Sequence, residues 1–252
     1  MKQAQRHQEI LELLSQCGFA TTEELVVHFD VSPQTIRRDL NELAEQEKIQ
    51  RHHGGASLPS FGNSSNGCPW KVVQQEEKMR IARAIANRIP DGASLFINTG
   101  STTEAVARAL LDHRDLRIIT NSLNVASILT ARDDFTVIIT GGEIRSADGG
   151  IIGSAVRDFI SQFRVDVAIS GVQAIDRTGV LLADEFHDAA IIRILIENSR
   201  SLFLAADHSK FDKVAMIKVA EIGELDVLFT DQAPSEQLMK LLELHHVECC
   251  LC

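Results

Sequence analysis

Near the N-terminus, apolar positions fall on helical spacing. Ile10, Leu13, Leu14 and Cys17 share one helix face, and Gly18 ends the run. Thr21 followed by Glu24 three residues on is a capping box that opens a second helix, with Leu25, Val26 and Phe29 as its apolar face. A short turn through Asp30 and Val31 leads to a third helix, with Ser32 as N-cap and Pro33 at its first position. Ile36, Leu40 and Leu43 bury one stripe of that helix. The alternating basic stretch Lys48–Ala56, with Gly54 and Gly55 near its end, then suits a β-wing.

Beyond residue 75 the pattern changes. Runs of β-branched and apolar residues at Ser94–Ile97, Leu116–Thr120, Thr136–Thr140, Val165–Ser170, Leu202–Ala206, Asp226–Thr230 and Val247–Leu251 alternate with helical stretches. Such alternation predicts a doubly wound, mostly parallel α/β fold. The Gly-, Ser-, Asn- and Pro-rich segment between the two patterns reads as a linker. The expected organisation is therefore a winged helix-turn-helix over residues 1–57, a linker over 58–74 and an effector-sensing α/β domain over 75–252.

Two short helices joined by a tight turn make the third helix a recognition helix. Gln34, Arg38 and Asn41 point away from its buried stripe, with Thr35 and Arg37 on the flanks. These are residues suited to base edges and phosphates. Lys48, Arg51 and His52 on the wing would lie over the DNA backbone or minor groove. The chain carries a net charge of −10 over 252 residues, and the segment 1–57 itself holds more acids than bases. Any contact with DNA must therefore come from a local cationic face rather than from overall charge.

In the α/β region, small polar clusters follow the strands. Asn98, Thr99, Gly100, Ser101, Thr102 and Thr103 follow the first, Asn121 and Ser122 the second, and Gly141, Gly142, Glu143 and Arg145 the third. Asp207, His208, Ser209 and Lys210 follow the fifth. Ligands of doubly wound sheets bind outside the carboxyl ends of the strands, and free N–H groups at a helix start attract anions. The expected effector site comprises Gly100, Ser101, Thr102, Thr103, Asn121, Ser122, Gly142, Glu143, Asp207 and Lys210, with a phosphate-bearing ligand. Glu143, Glu185, Asp207 and Lys210 also admit an alternative, acid–base chemistry for aldose–ketose isomerisation in a protein with an accessory DNA-binding module. A constitutive DNA-binding protein with a decayed pocket is a third possibility.

No run of about 18 apolar residues is present, so no membrane span is expected. The charged, amphipathic N-terminus does not read as a signal peptide. The five cysteines lack paired C-x-x-C spacing and suit a reducing cytoplasm. Cys249, Cys250 and Cys252 lie near His245 and His246 but read as packing residues of a short terminal strand, so no metal or other cofactor is expected.

The stretch SPQTIRRDLNELAEQ followed by RHHGGA resembles the signature of DeoR-type bacterial transcriptional regulators. GSTTEAVARAL, ITNSLNVA, TGGEIRSADGGIIG and DHSKF resemble that family's effector domain, so the likeness spans the whole chain. The resemblance implies a sensor domain similar to the ribose-5-phosphate isomerase fold and no enzyme activity. It further implies a homodimer or homotetramer that binds double-stranded operator DNA and is released by a phosphorylated sugar or polyol, glycerol 3-phosphate above others. The chain departs from the family's pattern with Asn98 in place of an acid and Ile192 in place of a lysine. Both departures count against the isomerase alternative.

Overall fold

The structure is a computed structural model that describes residues 3–17, 19–46, 48–52, 55–57 and 75–252. The expected linker 58–74, along with His53 and Gly54 of the expected wing, lies outside the described residues. The chain divides into two compact units, Met1–Val73 and Gln74–Cys252.

The first unit contains helices α1 (Gln3–Cys17), α2 (Thr22–Phe29) and α3 (Pro33–Glu45) and short strands β1 (Phe19–Thr21), β2 (Gln50–His52) and β3 (Gly55–Ser57). The capping box at Thr21 and Glu24 is formed, and Asp30 leaves α2 in the left-handed conformation at φ 50°. That conformation is open to Asp because its short polar side chain bonds locally. Ser32 caps α3 and Pro33 sits in its first turn. Strands β2 and β3 pair antiparallel as the expected wing, and β3 also pairs with β1. Ile10, Leu14, Leu25, Ile36, Leu40 and Leu43 form a fully buried core between the three helices.

The second unit is built on a seven-stranded sheet. Its strands are β4 (Ser94–Ile97), β5 (Arg117–Thr120), β6 (Thr136–Ile139), β9 (Val165–Ser170), β12 (Ser199–Ala205), β14 (Val227–Thr230) and β15 (Glu248–Leu251). Their spatial order is β15-β14-β12-β9-β4-β5-β6, and every neighbouring pair is parallel. These are the seven strands expected from the apolar runs. Apolar side chains cover both faces. One core includes Ile81, Ile85, Leu95, Val106 and Phe229, and the other Phe96, Val156, Ala168, Ile192 and Leu228. The covering helices are α4 (Gln75–Ala86), α5 (Ser101–Ala109), α6 (Leu123–Leu129), α7 (Ser154–Ile160), α8 (Phe186–Asn198) and α9 (Glu236–Leu244).

Two additions go beyond the expected alternation. A hairpin of β7 (Glu143–Arg145) and β8 (Gly150–Ile152) follows β6 where only a polar loop was expected. A small antiparallel sheet joins β10 (Ala174–Ile175), β11 (Val180–Ala183) and β13 (Ile217–Glu221). Among the described residues, no helix is long and apolar enough to cross a membrane.

Candidate nucleic-acid face and effector site

The α3 surface is built by its buried stripe. With Ile36, Leu40 and Leu43 inside, Gln34, Arg37, Arg38 and Asn41 are exposed and Thr35 is half-buried. The Ser32 Oγ accepts the Thr35 backbone N–H at 3.2 Å and lies 2.9 Å from the Thr35 hydroxyl, which fixes the start of the helix. Arg38 is not wholly free, because its Nε donates to Glu42 Oε1 at 3.1 Å one turn along. Lys48 and Arg51 are exposed on the approach to the wing and on β2. His52 ends β2, and its side chain lies outside the described residues.

The patterning did not reveal Asp39. It lies on α3 with 1% exposure, a buried acid on a helix otherwise assigned to DNA and core. Arg6 of α1 grips it through Nε and through Nη2, the latter at 3.1 Å. Burial alone would raise the Asp39 carboxyl, but the Arg6 hydrogen bond and charge, with further hydrogen bonds from Gln3 and His7, together hold the group below the ordinary value. One sequence signal existed. Asp39 follows Ile36 by three residues and so falls on the buried arc, where an acid needs a cationic partner.

In the second unit, strand order creates the site. The chain runs outward from β4 through β5 to β6, then returns to the other side of β4 and runs outward again from β9 to β15. The reversal lies between β4 and β9, the position where doubly wound sheets open a crevice at their carboxyl edge. The register places Ile97, Thr120 and Ile139 in one row, with Ile169 beside Ile97. The residues that follow these strand ends therefore meet at one edge. Across the reversal, Asn98 Nδ2 donates to Ser170 Oγ at 3.0 Å, and Asn98 Oδ1 accepts the Thr99 N–H at 2.8 Å.

Gly100 precedes α5 at φ 142°, and no side chain caps that helix start. Its first backbone N–H groups lack an intrahelical acceptor, and this arrangement favours an anion. The expected site residues divide by what already engages them. The Thr103 hydroxyl donates to Gly100 O at 2.8 Å, and Ser122 Oγ caps α6 by accepting the Val125 N–H at 3.3 Å. Thr102 is buried, while Ser101 and Glu143 are exposed.

Gly142 is needed for backbone reasons. It lies at φ 152°, and a Cβ there would come within 2.6 Å of the Ile152 carbonyl oxygen. Asn121 is fully buried, and neither its amide nitrogen nor its amide oxygen has a partner. Asp207 accepts the Ser209 N–H through Oδ1 at 3.0 Å, whereas its Oδ2 is buried without a partner. The Thr140 and Thr230 hydroxyls at the same edge are also unpaired. Burial pushes the Lys210 ammonium down, against the opposing pull of Asp207. Unpaired buried polar atoms are rare because each costs desolvation, so their concentration at one sheet edge makes that edge the candidate effector site.

Arg145 is the principal residue here that the expected site did not include. It donates to Asp148 at 3.0 and 2.7 Å and to Asp188 at two distances of 3.2 Å. It thereby ties the β7–β8 hairpin to the first turn of α8. The hairpin in turn covers the start of α6, with the Ile151 N–H on Asn121 O at 2.7 Å and the Leu123 N–H on Gly149 O at 3.0 Å. Burial would raise Asp148, but hydrogen bonds from Arg145 and the Gly150 N–H hold it low. Asp188 is raised, with burial the largest cause. His208 Nδ1 lies 2.6 Å from Asp231, an otherwise enclosed carboxylate beyond β14.

The two departures noted in the sequence have structural consequences. The Asn98 amide is engaged by Ser170 and Thr99, and Ile192 lies in the apolar core at 3% exposure. The positions where an isomerase reading would want an acid and a base therefore hold neither.

Residues 6–61 match the DeoR-like helix-turn-helix domain, and residues 73–232 match the DeoR C-terminal sensor domain. The glycerol-3-phosphate regulon repressor of Escherichia coli K12 is 55% identical, with 100% of each chain covered. The protein of the same name from Haemophilus influenzae is 48% identical over 100% of this chain and 98% of its own. The transcriptional repressor CsqR of E. coli is 40% identical over 96% of this chain and 93% of its own. A ribose-5-phosphate isomerase A from Methanocaldococcus jannaschii superposes with a TM-score of 0.40 at 17% identity over 56% of each chain, too distant to bear on function. Both family models match in chain order and the relatives align along the full length, so the chain belongs to the DeoR family of transcriptional regulators.

Proposed function

We propose that this protein is a transcriptional repressor that binds operator DNA through α3 and the wing and is released when a phosphorylated sugar or polyol binds the sensor domain. Glycerol 3-phosphate is the foremost effector, because the relatives at 55% and 48% identity are named for its regulon. The observation that carries the sensing half is the buried, unpaired Asn121 amide just after β5, the sheet neighbour of the strand β4 that leads into the uncapped start of α5. An amide that both donates and accepts suits polyol hydroxyls, and the free N–H groups of a helix start suit a phosphate. On the DNA side, Gln34, Thr35, Arg37, Arg38 and Asn41 form the base-reading surface, with the exposed Lys48 and Arg51 laid over the DNA backbone or minor groove.

We also assign a homodimer or homotetramer. Phe186 is 68% exposed and Met216 88% exposed. Phe186 lines a groove of about 530 Å³ with Ala189, Ala190, Ile194 and Ile217, and Met216 directly precedes Ile217. One patch thus carries both a projecting aromatic and an apolar recess, which a two-fold interface requires. The rim also mixes Arg157 and Arg193 with Asp158 and Glu197, a pattern that suits pairing with itself better than with an anionic surface.

The test is a thermal-shift screen of phosphorylated sugars and polyols. Glycerol 3-phosphate is expected to raise the melting temperature and its unphosphorylated parent to leave it unchanged. A panel without any shift would remove the effector assignment.

A further inference from the structure

The polar network beneath α3 contains more than the ion pair already described. Gln3, Arg6 and His7 lie at i, i+3 and i+4 on α1 and so share one face. Asp39 and Glu42 lie three apart on α3 and face them. Besides Arg6, Asp39 accepts from Gln3 Nε2 at 3.3 Å and lies 3.1 Å from His7 Nε2. Gln3 Nε2 also donates to Glu42 Oε2 at 2.8 Å, with His7 Nε2 4.0 Å from the same oxygen. The other oxygen of Glu42 holds Arg38, whose side chain is 79% exposed.

We infer that Asp39 and Glu42 are positioning residues for base readout: α1 sets the rotation of the recognition helix through Arg6 and Asp39, and sets the aim of Arg38 through Gln3 and Glu42. This rests on the reading of α3 as the recognition helix.

The physical case is one of geometry against stability. The apolar stripe of Ile36, Leu40 and Leu43 already supplies the burial that holds α3 in place. A stripe of that kind tolerates rotation and sliding, because dispersion and burial are non-directional. A two-point guanidinium–carboxylate contact does not tolerate them, since its planar fork fixes distance and angle together. Buried ion pairs replaced by apolar residues are often neutral for stability, so a structural need alone does not call for this one. Glu42 contributes in a second way. A long arginine over a major groove samples many rotamers, and a carboxylate one turn away restricts them before DNA arrives.

The test measures base preference in the full-length protein with a library of operator fragments randomised at each position. Three variants are compared with wild type: Arg38→Ala, Glu42→Ala, and the charge-free pair Arg6→Met with Asp39→Leu. Loss of folded protein lowers binding to all fragments alike, whereas a misaimed helix changes the preference profile itself. Arg38→Ala is expected to flatten preference at specific base positions by about 10-fold. Glu42→Ala is expected to weaken preference at those same positions, and the double variant to weaken it there and at neighbouring ones. If Arg38→Ala flattens the profile while Glu42→Ala and the double variant keep the wild-type profile, the positioning role is wrong and the recognition helix stands. If Arg38→Ala itself leaves the profile intact, the recognition-helix reading falls and the positioning role with it. Should the double variant fail to fold, Glu42→Ala decides alone, because its partly exposed side chain leaves the core untouched.

Discussion

Asn121 has two polar atoms buried without partners, and Arg38 is largely exposed yet already committed to a carboxylate. Both carry a cost that folding does not require. An unsatisfied buried amide destabilises by about 1–3 kcal/mol, so Asn121→Leu is expected to raise the stability of the unliganded protein by about 1–2 kcal/mol. The same substitution should abolish the thermal shift given by the effector. A variant with unchanged stability and an undiminished shift would show that Asn121 faces no ligand. This opposition between stability and function is expected where a site is held ready for a molecule that is not yet bound. On the other unit, Arg38→Ala should weaken operator binding by about 1–3 kcal/mol in a mobility-shift titration. Wild-type affinity in that variant would move the reading surface elsewhere.

Between elements, the α1–α3 contact makes a pH prediction. The Asp39 carboxyl is held below its ordinary value in the folded state: burial is the largest single cause and would raise it, but the Arg6 bond and charge together with hydrogen bonds from Gln3 and His7 outweigh it. A depressed carboxylate contributes stability that is fully present above its unfolded pKa and is lost as pH falls through the folded value. Removing Arg6 alone, as Arg6→Met, leaves the acid buried and unpaired. That should cost about 3 kcal/mol near neutrality. It should also flatten the acid limb of α1 and α3, read by hydrogen exchange of their amides, because a buried unpaired acid has a raised pKa and its protonation relieves the variant as pH falls. An unchanged acid limb would mean that the pair contributes nothing.

The β7–β8 hairpin makes a second prediction at this scale. Gly142→Ala puts a Cβ against the Ile152 carbonyl and is expected to destabilise the sensor unit by about 1–3 kcal/mol, measured by thermal unfolding. These contacts also show where the sequence stops being readable. The helix starts at Thr21 and Ser32 and the seven parallel strands follow from local spacing and capping, which depend on near neighbours. Arg145 with Asp188 and Arg6 with Asp39 join residues 43 and 33 positions apart, and no periodicity tells which partner each acid takes. The strand order that brings Asn98 beside Ser170 is equally non-local. Hence the polar clusters after the strands, Arg145 among them, were legible, while the tie that Arg145 makes between the hairpin and α8 was not.

At the scale of the whole molecule, a single α3 presents one short reading surface, and operators are read by paired copies on two half-sites. The exposed Phe186 and Met216 on the sensor unit are the surface proposed for such pairing. Phe186→Glu is therefore expected to reduce the mass seen by light scattering to that of a smaller species, while the effector still shifts the melting temperature. An unchanged mass would place the interface on another face. Effector binding then need only favour one arrangement of the paired copies over another, since a ligand shifts an equilibrium by its difference in affinity for the two states.

The most direct test of the central claim is a fluorescence-anisotropy titration of an operator fragment with the full-length protein, with and without glycerol 3-phosphate at fixed ionic strength. The account predicts tight binding to the operator without ligand and an affinity lower by about 5–150-fold with it. The same affinity in both titrations at millimolar ligand would contradict it.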